Sequence, residues 1–139
     1  MQIDAPLVVI YADDDQDDHE TLAEAIKLSS LEFELWSVYD GAELIHLLRD
    51  LAPDLSPAFI IVDLNMPKMD GLSAIKCIKT KLNRDSLPIY TLSTSRNPVD
   101  RERGKDLGVA GFYTKPIRTT DLKNILEEMA IKSLKFQER

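Results

Sequence analysis

A chain of 139 residues with a hydrophobic fraction of 44% is long enough for one buried core and too short for several. Its net charge of -7 argues against nucleic acid as a direct ligand, because phosphate backbones recruit clustered Lys and Arg. Its single cysteine, Cys77, excludes an intrachain disulfide and a multi-cysteine metal site. No apolar run approaches the roughly 20 residues that cross a bilayer, and the N-terminus lacks a basic stretch ahead of a long hydrophobic one, so a soluble, cytoplasmic protein with no membrane association is expected.

The first apolar run, Leu7 to Tyr11, reads as a strand and leads into the acids Asp13 to Asp18. Leu22, Ile26 and Ser29 then recur at helical spacing, Phe33 to Val38 forms a second strand pattern, and Ala42, Leu44, Ile45 and Leu48 mark a second helix. Phe59 to Val62 is a third strand that closes on Asp63. Pro67 and Gly71 frame the turn that follows, and Leu72, Ile75, Ile78 and Leu82 give a third helix around Cys77. Ile89 to Leu92 is the fourth strand. The helix predicted over Pro98 to Leu107 is weak: its apolar residues are Val99 and Leu107, and Gly104 costs it roughly 0.8 to 1.0 kcal/mol relative to Ala. Gly111 to Thr114 supplies a fifth strand, and Leu122, Ile125, Leu126 and Met129 a last helix that Thr119 or Thr120 can cap.

Alternation of strand and helix through five repeats predicts an α/β fold, a doubly wound five-stranded parallel sheet with helices on both faces. Leu7 to Tyr11 and Phe59 to Val62 are nearly continuous apolar runs, as central strands buried on both faces require. In a flavodoxin-like order of 2-1-3-4-5 they are neighbours at the switch point, and ligands bind beyond their carboxyl ends. One domain is expected over residues 1–139, with a core from about 6 to 134, a short tail and no output domain.

That order brings Asp13, Asp14 and Asp63 to one edge of the sheet, on strands about 4.8 Å apart. Acids so close raise one another's pKa unless a cation offsets the repulsion. Mg²⁺ suits the set, since it takes few carboxylates, several waters and a phosphate oxygen. Asp15, Asp17 and Asp18 read instead as helix-start charges that favour the helix dipole. Asp13, Asp15, Asp17 and Glu24 also fall at EF-hand spacing, but Asp18 replaces the required Gly and a strand pattern precedes them, so the match is accidental. Residues 96–118 carry a local charge of +3 within the acidic chain.

Four segments, VVIYADDDQDD, IIVDLNMPKMDG, IYTLSTS and GFYTKPI, resemble the response-regulator receiver family in order and spacing across essentially the whole chain. The resemblance implies a receiver fold in which Asp63 is phosphorylated and Asp13, Asp14 and Asp63 hold Mg²⁺ with the backbone carbonyl of Asn65. It makes Ser93 the hydroxyl that bonds a phosphoryl oxygen, Lys115 the lysine that pairs with acceptor and phosphoryl group, and Phe112 the aromatic switch. A cis peptide between Lys115 and Pro116 follows from it as well. Leu64, Asn65, Thr94 and Ser95 would tune hydrolysis. The implied partners are a histidine kinase or phosphotransfer protein as donor and a downstream protein, with a homodimer through the fourth helix, fifth strand and fifth helix. As a carboxylate nucleophile, Asp63 fits aspartyl-phosphate chemistry without any family name.

The alternative is a Mg²⁺-dependent phosphatase with an aspartyl-phosphate intermediate. It would want Asp-x-Asp at the acceptor, where this chain has Leu64 and Asn65 after Asp63. A flavin module of similar topology would want a Ser, Thr and Gly-rich loop after the first strand, where acids stand instead.

Overall fold

The computed structural model describes residues 6–51, 57–82, 84, 86–94 and 97–137. Among them five strands alternate with five helices: β1 (Leu7–Ala12), α1 (Gln16–Leu28), β2 (Phe33–Val38), α2 (Gly41–Asp50), β3 (Phe59–Val62), α3 (Gly71–Thr80), β4 (Ile89–Ser93), α4 (Pro98–Asp106), β5 (Gly111–Thr114) and α5 (Thr119–Gln137). All pairings are parallel and the strand order is β2-β1-β3-β4-β5, the doubly wound arrangement expected from the sequence.

The continuous apolar runs of the central strands have a direct cause. Successive side chains of a strand point to opposite faces. Ile10, Ile60 and Val62 pack with Leu44, Ile45 and Leu48 of α2 and with Ala74, Ile75 and Ile78 of α3. Val9, Tyr11, Phe59 and Ile61 pack with Leu22 and Ala25 of α1 and with Leu122, Leu126 and Met129 of α5. With both faces covered, no position in β1 or β3 favours a polar side chain until the chain leaves the sheet. Each fully buried large apolar residue contributes about 1.5 to 3 kcal/mol, so the polar edge sits on a firmly held scaffold.

Acidic caps start three helices at that edge. Asp15, Asp40 and Asp70 accept from the backbone N–H groups of Asp17, Glu43 and Ser73, each cap contributing about 1 kcal/mol. Asn97 caps α4, with Pro98 in its first turn. The last helix departs from expectation. Thr119 and Thr120 lie inside α5, and its opening bonds, from the N–H groups of Asp121 and Leu122, go to the Arg118 carbonyl, so the cap position falls on Arg118.

Gly71 lets α3 close against the end of β3. A methyl group there would lie 2.5 Å from the Asp63 carbonyl oxygen and 2.7 Å from Leu64 Cα, distances no side chain tolerates. The weak fourth helix forms as expected, and Gly104 is its one buried residue among those described.

Candidate functional site

The backbone ladder runs one residue past three strands. Asp13 N–H donates to the Val38 carbonyl at 3.1 Å, Asp63 N–H to the Ala12 carbonyl at 2.9 Å, and Lys115 N–H to the Ser93 carbonyl at 3.0 Å. Asp13 and Asp63 are thereby the first polar side chains after apolar runs, Lys115 follows Thr114 at the end of β5, and all three backbones are held by the sheet. Asp13 and Ser93 are fully buried and Asp63 is 5% exposed, whereas Asp14 is exposed. Carboxylate oxygens of Asp13, Asp14 and Asp63 lie within 4.8 Å of one another, the convergence predicted from strand order.

Lys115 extends its ammonium into this cluster. Its Nζ lies 2.8 Å from Asp13 Oδ2, 3.2 Å from Asp63 Oδ2 and 2.7 Å from Asp18 Oδ2. The expected cis peptide before Pro116 is absent, for no cis bond occurs among the described residues. The rung to Ser93 already directs the Lys115 backbone toward the edge, and its four-carbon stem covers the remaining distance.

Charges are unevenly supported. Burial acts to raise the Asp13 pKa, but donation from Lys115, from the Tyr11 hydroxyl at 2.5 Å and from the Asp15 N–H at 2.9 Å outweighs it, so the carboxyl is held below its ordinary range. Asp63 goes the other way. Burial raises its pKa, Lys115 opposes the rise, and the neighbouring Asp13 charge adds to it. Its remaining polar support is one long bond to Oδ1 from the Asn65 N–H at 3.3 Å. Burial would lower the Lys115 pKa, yet Asp13, Asp18 and Asp63 together push it above the ordinary lysine value.

Asp18 is the helix-start acid the sequence suggested, but it is not simply solvated, for its carboxylate pairs with Lys115. It occupies the third position of α1 after the Asp15 cap, and helical side chains lean toward the N-terminus, hence toward the strand ends. Two further residues had no sequence signal as site residues. Tyr11, fully buried on the α1/α5 face, is the donor to Asp13. His19, also buried, sits between the rings of Tyr11 and Tyr39 at centroid distances of 4.7 and 4.5 Å, and its Nε2–H donates to the Asp13 carbonyl at 2.7 Å. Both sit in patterns that read as ordinary strand and helix packing.

Phe112 stands apart from the carboxylates, opposite Thr91 in the β4–β5 register. Its half-buried ring lies against Gly104 of α4, where a methyl would meet ring carbons at 3.6 and 3.7 Å, and the Arg101 guanidinium sits 5.1 Å from the ring centroid. Of the flanking residues, Leu64 is buried and Asn65 and Thr94 are exposed, while Ser95 lies outside the described residues.

The model of the response regulator receiver domain matches residues 9–127. The chain is 28% identical over 125 residues to the response regulator Rcp1 of Synechocystis sp., covering 88% of this chain and 85% of Rcp1. It is 31% identical over 114 residues to the transcriptional regulatory protein PrrA of Mycobacterium leprae, covering 82% of this chain but 46% of PrrA, so it spans about half the length of that relative. The phosphorylated cyanobacterial phytochrome response regulator RcpA superposes with a TM-score of 0.80 at 30% identity, over 94% of this chain and 95% of RcpA. Mn²⁺-bound Rcp1 gives a TM-score of 0.76 at 28% identity, over 89% and 91% of the two chains. An α/β sheet whose acids and lysine converge at the switch point is thus accompanied by relatives of one kind. The chain belongs to the response regulator receiver family, a signalling domain of two-component systems and not a classical enzyme, with an acidic pocket that fits phosphorylation. The phosphatase alternative is not favoured. No helix among the described residues is long and apolar enough to cross a membrane.

Proposed function

We propose that Asp63 accepts a phosphoryl group from a phosphohistidine of a sensor kinase or phosphotransfer protein, and that the altered site then acts on a downstream protein. The observation that carries this is the setting of Asp63: buried, 3.2 Å from a lysine ammonium, and within 4.8 Å of two other acids. One ionised carboxylate oxygen forms the new O–P bond while the P–N bond to the donor imidazole breaks, and the imidazole leaves with that electron pair. No base is required, because the attacking group has no proton to lose. Lys115 stays charged among three carboxylates and is placed to meet the phosphoryl oxygens as negative charge spreads over them. Ser93, buried at the end of β4, supplies a hydroxyl to the product, and Phe112 responds through α4.

Asp13, Asp14 and Asp63, with the Asn65 carbonyl, are the residues that would hold Mg²⁺. Their hard oxygen donors fit such an ion, and the existence of a Mn²⁺-bound form of the relative Rcp1 supports a divalent cation as the ligand. When bound, the ion neutralises charge on the phosphoryl oxygens. On this reading the domain catalyses its own phosphorylation and dephosphorylation in the cytoplasm and signals through the face of α4, β5 and α5, to a partner or a second copy. Val99 and Ile117, 59% and 101% exposed, lie at that face. Its positive charge is smaller than the sequence suggests, since Lys115 turns inward.

Incubation with acetyl phosphate and Mg²⁺, followed by intact mass measurement, is expected to show the gain of one phosphoryl group, abolished by a chelator. An unchanged mass at saturating donor and Mg²⁺ would overturn the proposal.

A further inference from the structure

We infer that Asp18 is a positioning residue for Lys115, the one carboxylate that keeps the lysine aimed while the other two change partners. The inference rests on the roles given above to Asp63 and Lys115. The ammonium has three hydrogens and three carboxylate contacts, and the contact to Asp18, at 2.7 Å, is the shortest. Asp13 and Asp63 are both committed elsewhere. Asp13 Oδ2, the oxygen that Lys115 meets, already accepts the Tyr11 hydroxyl, its Oδ1 accepts the Asp15 N–H, and the residue belongs to the trio able to hold a cation. Asp63 is the acceptor itself, so phosphorylation turns one of its oxygens into the O–P bond and leaves the other an uncharged carbonyl. Asp18 belongs to neither set.

Its frame is rigid. Asp18 is in the first turn of α1, which begins at the Asp15 cap, and the next residue, His19, fixes that turn to the Asp13 carbonyl from a buried slot between two tyrosine rings. The partners are also sheltered, with side-chain exposures of 15% for Lys115 and 32% for Asp18, unlike the Lys132–Glu128 pair on α5 at 48% and 54%. A surface ion pair of the latter kind carries no positional information. A pair on a pinned turn does, because moving the carboxylate requires moving the helix start.

The test uses the full chain carrying Asp18→Ala or Asp18→Asn. With Mg²⁺ present, when Asp13 and Asp63 would face the ion, the ¹⁵N-resolved NH₃⁺ resonance of Lys115 is expected in wild type and in Asp18→Asn, whose carbonyl still accepts, and lost in Asp18→Ala. With Mg²⁺ and acetyl phosphate, the saturating phosphorylation rate of Asp18→Ala should fall about tenfold or more at an unchanged half-saturating donor concentration, while Asp18→Asn stays within about threefold of wild type. A wild-type resonance or rate in Asp18→Ala, or an Asn variant as impaired as the Ala variant, would overturn the inference and leave the role of Asp63 standing. Labelling of Asp63→Asn, or no labelling of wild type, would remove the underlying reading and the inference with it.

Discussion

Asp63 is held in a state it disfavours: burial and the Asp13 charge raise its pKa, and Lys115 only partly compensates. A carboxyl whose folded pKa lies above its unfolded one destabilises the fold while ionised, and that cost is present at neutral pH and disappears as pH falls through the carboxylate range. Asp63→Asn should therefore raise the thermal midpoint of metal-free protein at pH 7, with the gap closing toward acid pH; Lys115 keeps Asp13 and Asp18 as partners in the variant. A midpoint at or below wild type at pH 7 would contradict this. At this scale the sequence was readable wherever an acid directly follows an apolar run, as Asp13 and Asp63 do. It was not readable at Asp18, because the lean of a first-turn side chain becomes informative only when Lys115 is known to arrive from β5. Tyr11 was hidden for a different reason, since an aromatic in a buried strand is explained by packing alone.

Among the elements, α4 is the least secured. Gly104 is its sole buried position among the described residues, and a methyl there would make ordinary contacts with Phe112 and Val109 at 3.6 Å. Gly104→Ala should thus recover roughly 0.8 to 1.0 kcal/mol of helix propensity without a clash, raising the midpoint by about 2 to 4 °C. A thermal melt showing no rise, or a fall, would mean that the ring and helix are packed more tightly than these distances indicate. Gly71 is the contrasting case: the same substitution there would drive a methyl into the Asp63 backbone, so a loss of stability is expected from that variant in the same melt. Element types followed from periodicity, but termini did not. A threonine pair before a helix reads as a cap, whereas the chain enters α5 one residue earlier, at Arg118. The geometry of the Lys115–Pro116 link likewise came from resemblance and not from local residue chemistry, and there the expectation failed.

For the whole molecule, two apolar layers clamp β1 and β3 and leave the carboxyl edge as the place where charge gathers, while α4 and β5 sit at one side with far less burial. Weakly packed units open most readily, so a change at Asp63 should be felt there first. Phosphorylation is expected to alter backbone hydrogen exchange more in residues 97–118 than in residues 20–50, and equal changes or the reverse order would displace the output face. Fold order was legible because strand burial on two faces leaves continuous apolar runs. The lysine cage was not, because it joins residues from the start of α1 and the ends of β1, β3 and β5. The central claim concerns one side chain and can be read chemically. An acyl phosphate is reduced by borohydride to the alcohol, so wild type treated with acetyl phosphate and Mg²⁺ and then reduced should yield homoserine at position 63 and at no other aspartate. Homoserine at another position, or phosphate persisting on a serine or threonine, would contradict the assignment of Asp63.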